Sequence, residues 1–110
     1  AEDCEFLLEK LCEQLNRDYS ELRVSSVEIG FIKAVYGHVF FELIHPFGDG
    51  NGRTGRLIEF FILLASGVPT AASHLLSNFY NQTRAEYYRQ LDKISNSKGE
   101  LLPFFEYALR

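Results

Sequence analysis

The sequence predicts an all-α fold, and three observations carry that prediction. Apolar residues recur at helical spacing through most of its 110 residues. No segment shows a convincing strand pattern of alternating apolar and polar residues. The interruptions fall at clusters of turn residues, around Gly48-Asp49-Gly50, Gly67-Val68-Pro69 and Ser97-Lys98-Gly99. The expected architecture is a helical bundle built around two buried central helices joined by a glycine-rich loop.

Residues 2–16 place Phe6, Leu7, Leu8, Leu11 and Leu15 at helical spacing between acidic residues, with Asp3 as cap or first-turn acid. This helix is expected to pack on the core. Cys4 and Cys12 are eight residues apart on it, so their Cα atoms would lie about 12 Å apart at about 1.5 Å per residue, too far for a disulfide. Residues 17–25 form a polar connection. A helix follows from Ser26 to Ile44, capped by Ser25 or Ser26. It is apolar on nearly all sides (Ile29, Phe31, Ile32, Val35, Tyr36, Val39, Phe40, Leu43 and Ile44), as a central helix is, with His38 as a satisfied core histidine. Its partner is residues 52–66, which Gly67 and Pro69 terminate. Glu59, Arg84 and His74 are expected at the surface or, for the first two, in ion pairs. Helices at 71–79 and 82–96, broken near Asn81, precede a last one at 100–109 with Pro103 in its first turn.

Length sets one domain with one core. Hydrophobic content of 46% with 24% charged residues is ordinary for a globular protein. A net charge of −4 gives no reason to expect nucleic acid. Glu59 interrupts the best apolar run, Leu57 to Ala65, so no membrane span is expected. No signal peptide is present, which suggests a cytoplasmic setting. The first residue is Ala rather than Met, so the chain is expected to be a piece of something longer.

Chemistry concentrates in residues 45–56, where a histidine, a carboxylate, four glycines and two arginines occur within twelve positions. Gly50 and Gly52 let main-chain N–H groups approach a ligand. A helix opening near Asn51 or Gly52 would present its unsatisfied amides and dipole to an anion. Arg53 and Arg56, three residues apart, can aim two guanidinium groups at that anion. Asp49 would repel it unless a cation such as Mg²⁺ sat between them. His45 can act as a base near neutral pH. Base, metal ligand and polyphosphate cradle together suit attack on a nucleotide. A P-loop is excluded because no Gly-Lys pair occurs, and an EF-hand because Thr54 and Phe60 stand where Gly and Glu are needed.

The segment His45-Pro46-Phe47-Gly48-Asp49-Gly50-Asn51-Gly52-Arg53-Thr54-Gly55-Arg56 resembles the Fic domain signature, H-P-F-x-D/E-G-N-G-R-x-x-R, at every fixed position. Similarity extends more loosely over residues 2–96. The resemblance implies a protein adenylyltransferase that moves AMP from ATP to a hydroxyl side chain of a target protein, with Mg²⁺. By position it implies His45 as the catalytic base and Phe47 as the residue anchoring the turn in the core. Asp49 would be the metal ligand. The nucleotide would be held by Asp49, Gly50, Asn51, Gly52, Arg53, Thr54, Gly55 and Arg56, the last directed at the γ-phosphate. Tyr87 and Tyr88 fall where similar proteins line the adenine site.

The resemblance also raises expectations about what accompanies this segment. Fic proteins carry a target-docking β-hairpin flap before the helix matching residues 2–16, and this chain begins after that point. Many relatives carry an inhibitory helix, S/T-x-x-x-E-G/N, but no glutamate here precedes Gly or Asn. An inhibitory helix or antitoxin is therefore expected to come from elsewhere, if at all. Two other functions keep the same residues: transfer of UMP, phosphate or phosphocholine, and a non-catalytic nucleotide-binding or interaction module.

Overall fold

A computed structural model describes residues 2–17, 25–97 and 99–109, without the side chains of residues 2 and 3. The expected role of Asp3 and most of the 17–25 connection lie outside what is described. Among the described residues there are seven helices and no strand, as the all-α prediction requires. They are α1 (Glu2–Leu15), α2 (Ser26–Ile44), α3 (Asn51–Ala65), α4 (Thr70–Ser73), α5 (Leu75–Gln82), α6 (Arg84–Asn96) and α7 (Leu102–Ala108). The chain forms two compact units, Ala1–Pro69 and Thr70–Arg110.

In the first unit, α2 and α3 form a tightly packed helical hairpin. The buried face of α3 is Asn51, Gly55, Glu59 and Leu63, each four residues after the last. The buried residues of α2 include Gly30, Ala34, Gly37, His38 and Phe41. Small residues bring the two backbones together. A Cβ on Gly30 would come 2.2 Å from Ser66 Cβ, and one on Gly55 would come 2.4 Å from Glu42 Oε1. At Gly30 the Ser66 Cβ leaves no room for a side chain, whereas one at Gly55 would require the Glu42 carboxyl to move.

This seam of glycine and polar residues differs from the expected pairing of two helices buried on all sides. Ile32, Leu57 and Phe61 are each more than half exposed. At 100° per residue Leu57 and Phe61 lie across α3 from Gly55 and Glu59. Glu59, expected at the surface or in an ion pair, is fully buried, with Oε2 3.9 Å from His38 Nδ1. His38 is buried, as expected.

The hairpin ends are capped as anticipated. Ser25 Oγ accepts a hydrogen bond from Glu28 N–H at 3.1 Å, satisfying one orphan donor of α2. At the far end of α3, Gly67 takes φ 96°. Gly67 N–H reaches Leu64 O, and Val68 N–H reaches Leu63 O, a Schellman cap. In α1, Leu11 is buried and Cys4, Leu8 and Leu15 are half-buried, but Phe6 and Leu7 are exposed. Phe6 lies on the far side of the helix from that stripe, where Lys10 stands 5.5 Å from its ring centroid. Both cysteines are free.

The second unit is held by an aromatic cluster. The Tyr80 ring lies 4.7 Å from Tyr87 and 5.9 Å from Phe104, and Phe104 lies 5.5 Å from Tyr107. Leu91 and Ile94 are buried as well. The break expected near Asn81 falls at Thr83, whose φ of −114° and ψ of 42° leave the helical region. Its hydroxyl donates to Phe79 O, ending α5. Pro103 sits in the first turn of α7. No helix among the described residues is long and apolar enough to cross a membrane.

Candidate active site

The turn between α2 and α3 owes its shape to two left-handed residues and one side chain. His45 caps α2 at φ 52°, ψ 58°, the only non-glycine residue with positive φ among those described. Its N–H still bonds Phe41 O at 3.0 Å. Gly50 caps α3 at φ 85°. Asn51, the first residue of α3 and almost fully buried, clamps the loop between them. Phe47 N–H donates to Asn51 Oδ1 at 3.0 Å, and Asn51 Nδ2 donates to Phe47 O at 2.7 Å. These two bonds orient the amide, and Nδ2 also lies 3.2 Å from His45 Nε2. An amide nitrogen only donates, so Nε2 is the acceptor and the neutral ring carries its proton on Nδ1.

Both arginines fold back toward the start of α3, the direction that helical side chains favour. Arg53 Nη2 is 3.5 Å from where a Gly50 Cβ would stand, and Arg56 Nη1 is 3.1 Å from a Gly52 Cβ. Their guanidinium groups thus lie over the turn's glycines, with no side chain capping the helix. Asp49 Oδ1 accepts from Gly50 N–H at 2.9 Å, while its Oδ2 is 3.6 Å from Arg53 Nη2. Both partners of that ion pair are exposed, so it stabilises the fold little. Thr54 N–H returns to Gly50 O at 3.0 Å. Phe47, expected to anchor the turn in the core, is half exposed and packs on Phe41 at 6.1 Å between ring centroids.

Under the turn lies a buried polar cluster. Burial of His38 lowers its pKa from 6.5 to about 4, with Arg56 lowering it further and a backbone hydrogen bond at Gly55 working the other way. Burial raises the Glu42 carboxyl above its usual range, opposed by the neighbouring Arg56 and His45. Tyr87 and Tyr88 belong to the second unit. Tyr87 is buried against Tyr80 and Phe104, whereas Tyr88 is exposed.

Comparison with known proteins meets this geometry. The model of the Fic/DOC family matches residues 1–63, more than half of the chain and the whole α1–α3 unit up to Leu63. The chain belongs to the Fic/DOC family. Curated relatives include the protein adenylyltransferase fic-1 of Caenorhabditis briggsae, 35% identical over 96% of this chain and 19% of that protein. The Caenorhabditis elegans fic-1 adenylyltransferase has the same identity and coverage. Over 67% of this chain and 13% of its own length, the protein adenylyltransferase Fic of Drosophila persimilis is 38% identical. The chain thus spans about a fifth or less of these relatives. No solved structure matches it.

Two features of this Fic site go beyond the signature's residue roles. Asn51, expected among the nucleotide ligands, spends its side chain inside the protein. The second is the Glu42–His38–Glu59 cluster. Glycine inside the apolar α3 signalled a close approach at Gly55, and Glu42 precedes His45 by one helical turn. Asn51→Ala would remove three hydrogen bonds and leave the Phe47 amide and carbonyl unpaired. It is expected to destabilise the protein by about 2 kcal/mol, measured by urea unfolding.

Proposed function

We propose that this Fic unit binds ATP and transfers AMP to a Ser, Thr or Tyr hydroxyl of a target protein. The observation that carries this is the pair of guanidinium groups folded over Gly50 and Gly52, beside a histidine that Asn51 holds by hydrogen bonding. The adenylyltransferase names of the relatives support the same reading.

The first-turn amides of α3, with Arg53 and Arg56, receive the phosphates. The target hydroxyl replaces the Asn51 amide as the partner of His45 Nε2, which takes its proton. The hydroxyl oxygen bonds to the α-phosphorus, the bond from that phosphorus to the β-phosphate bridge breaks, and pyrophosphate leaves. Asp49, a lone exposed carboxylate, fits a Mg²⁺ that draws its other oxygens from phosphate. Among the described residues no cluster of three or more acidic, histidine or cysteine groups offers a metal site without phosphate. When bound, Mg²⁺ supplies charge neutralisation on the phosphates.

Titration calorimetry with ATP and Mg²⁺ is expected to show saturable binding. ATP labelled at the α-phosphate is expected to leave its label on protein, whereas ATP labelled at the γ-phosphate is not. Label from UTP or from the γ-phosphate instead would move the reading to another transferred group. No nucleotide binding at all would remove it.

A further inference from the structure

The Asn51 side chain has one orientation open to it. Its oxygen accepts from Phe47 N–H at 3.0 Å and its nitrogen donates to Phe47 O at 2.7 Å. Turning the amide over would set N–H against N–H and oxygen against oxygen along the Phe47 backbone. Asn51 is only 4% exposed, and the Phe47 ring is backed by Phe41. The amide is therefore a rigid fitting of the turn.

Nδ2 carries two hydrogens. Phe47 O takes one, and the other faces His45 Nε2 at 3.2 Å. With both engaged, Asn51 has no donor left for a phosphate, the role its place in the signature implies. The His45 backbone is pinned as well, left-handed at φ 52° with its N–H on Phe41 O. A fixed donor thus meets one particular nitrogen of an anchored imidazole.

Which nitrogen it meets matters for a base. A neutral histidine side chain in water prefers its proton on Nε2, and a protonated Nε2 cannot accept another. The hydrogen bonds made by the ring decide where the proton sits. A donor held at Nε2 reverses the preference in water: the lone pair stays on Nε2 and the proton goes to Nδ1.

We infer that Asn51 is a positioning residue for His45, fixing the imidazole in the tautomer whose Nε2 can accept a proton from a target hydroxyl. This rests on the proposed function above for its consequence, but not for the contact itself. Asn51 touches no reacting atom. A hydroxyl donates as the amide does, so it takes the amide's place at Nε2 without any change of tautomer. Without Asn51 the competent tautomer would be the minor one, and the rate would fall by its fraction.

The test reads the ring nitrogens by ¹⁵N NMR of histidine-labelled protein, without nucleotide and at a pH where the imidazoles are neutral. His45 is assigned as the signal lost in His45→Asn. In the wild type its Nε2 is expected to give the unprotonated, pyridine-like resonance and its Nδ1 the protonated one. Asn51→Ala is expected to shift most rings to the opposite tautomer. Asn51→Asp, whose carboxylate only accepts, is expected to complete that reversal. With saturating α-labelled ATP and Mg²⁺, Asn51→Ala is expected to label lysate protein about 10-fold more slowly. A merely structural Asn51 would lower stability and leave the tautomer unchanged, which would overturn the inference. Lost ATP affinity in calorimetry with an unchanged tautomer would overturn it too, making Asn51 a nucleotide ligand. So would a wild-type ring protonated at Nε2, a result that needs no variant to fold. Wild-type protein that transfers no label would sink the proposed function instead, and the nucleotide-free spectra would still decide whether Asn51 sets the ring.

Discussion

His45→Ala is expected to lower AMP transfer by about 10²- to 10⁴-fold, the usual contribution of a positioned general base. ATP affinity should stay within about twofold, because the interaction removed is made only in the transition state. The structure explains why the two effects separate. His45 is exposed at the end of α2, while the proposed cradle consists of the α3 amides, Arg53 and Arg56. The loop does not depend on the imidazole, since Asn51 keeps both its bonds to Phe47 when the ring is gone. The left-handed backbone at position 45 is a separate cost, which alanine tolerates less well than asparagine does. His45→Asn therefore serves as the control: it retains the cap geometry and should be equally inactive. Transfer of α-labelled AMP by either variant within tenfold of wild type would place the base elsewhere.

The helical architecture and the position of the turn were legible because their signals are local. Ser25 as a cap, Gly67 with Pro69 as a stop and the 45–56 turn all depend on residues near one another in sequence. The packing was less legible. An apolar side chain shows that a residue wants burial but not which neighbour supplies it. In α2 and α3 the seam was built from Gly30, Gly37, Gly55 and Ser66, so that Ile32, Leu57 and Phe61 face outward. Glycine in an apolar helix carries this information only as a hint of close approach. Glu59 shows the same limit. Its charge argued for the surface or an ion pair without choosing between them, but its spacing of four from Gly55 and Leu63 put it on the buried face. In the site, the roles proposed for the arginines rest on their sequence spacing, whereas the Asn51 clamp needs the loop's three-dimensional closure to be seen.

The buried cluster makes stability depend on pH in a definite direction. His38 is fully buried and its pKa falls from 6.5 to about 4. Between those values the unfolded chain binds a proton that the folded chain does not, so stability rises with pH. The contribution is fully present above pH 6.5 and is lost as pH falls through about 4. At about 1.4 kcal/mol per pH unit, it amounts to about 3 kcal/mol. The groups facing His38 are Glu59 at 3.9 Å, Arg56 and the Gly55 backbone. Arg56 reinforces the neutral form, and an ionised Glu59 would oppose it. Urea unfolding between pH 7.5 and 4 is expected to show this loss, and His38→Gln is expected to flatten the slope over the same interval. An unchanged slope in His38→Gln would mean that the acid sensitivity resides in the carboxylates. A slope that steepens in the variant would mean that His38 is charged in the folded state and paired with Glu59, so that the seam under the α2–α3 turn is an ion pair rather than a neutral contact.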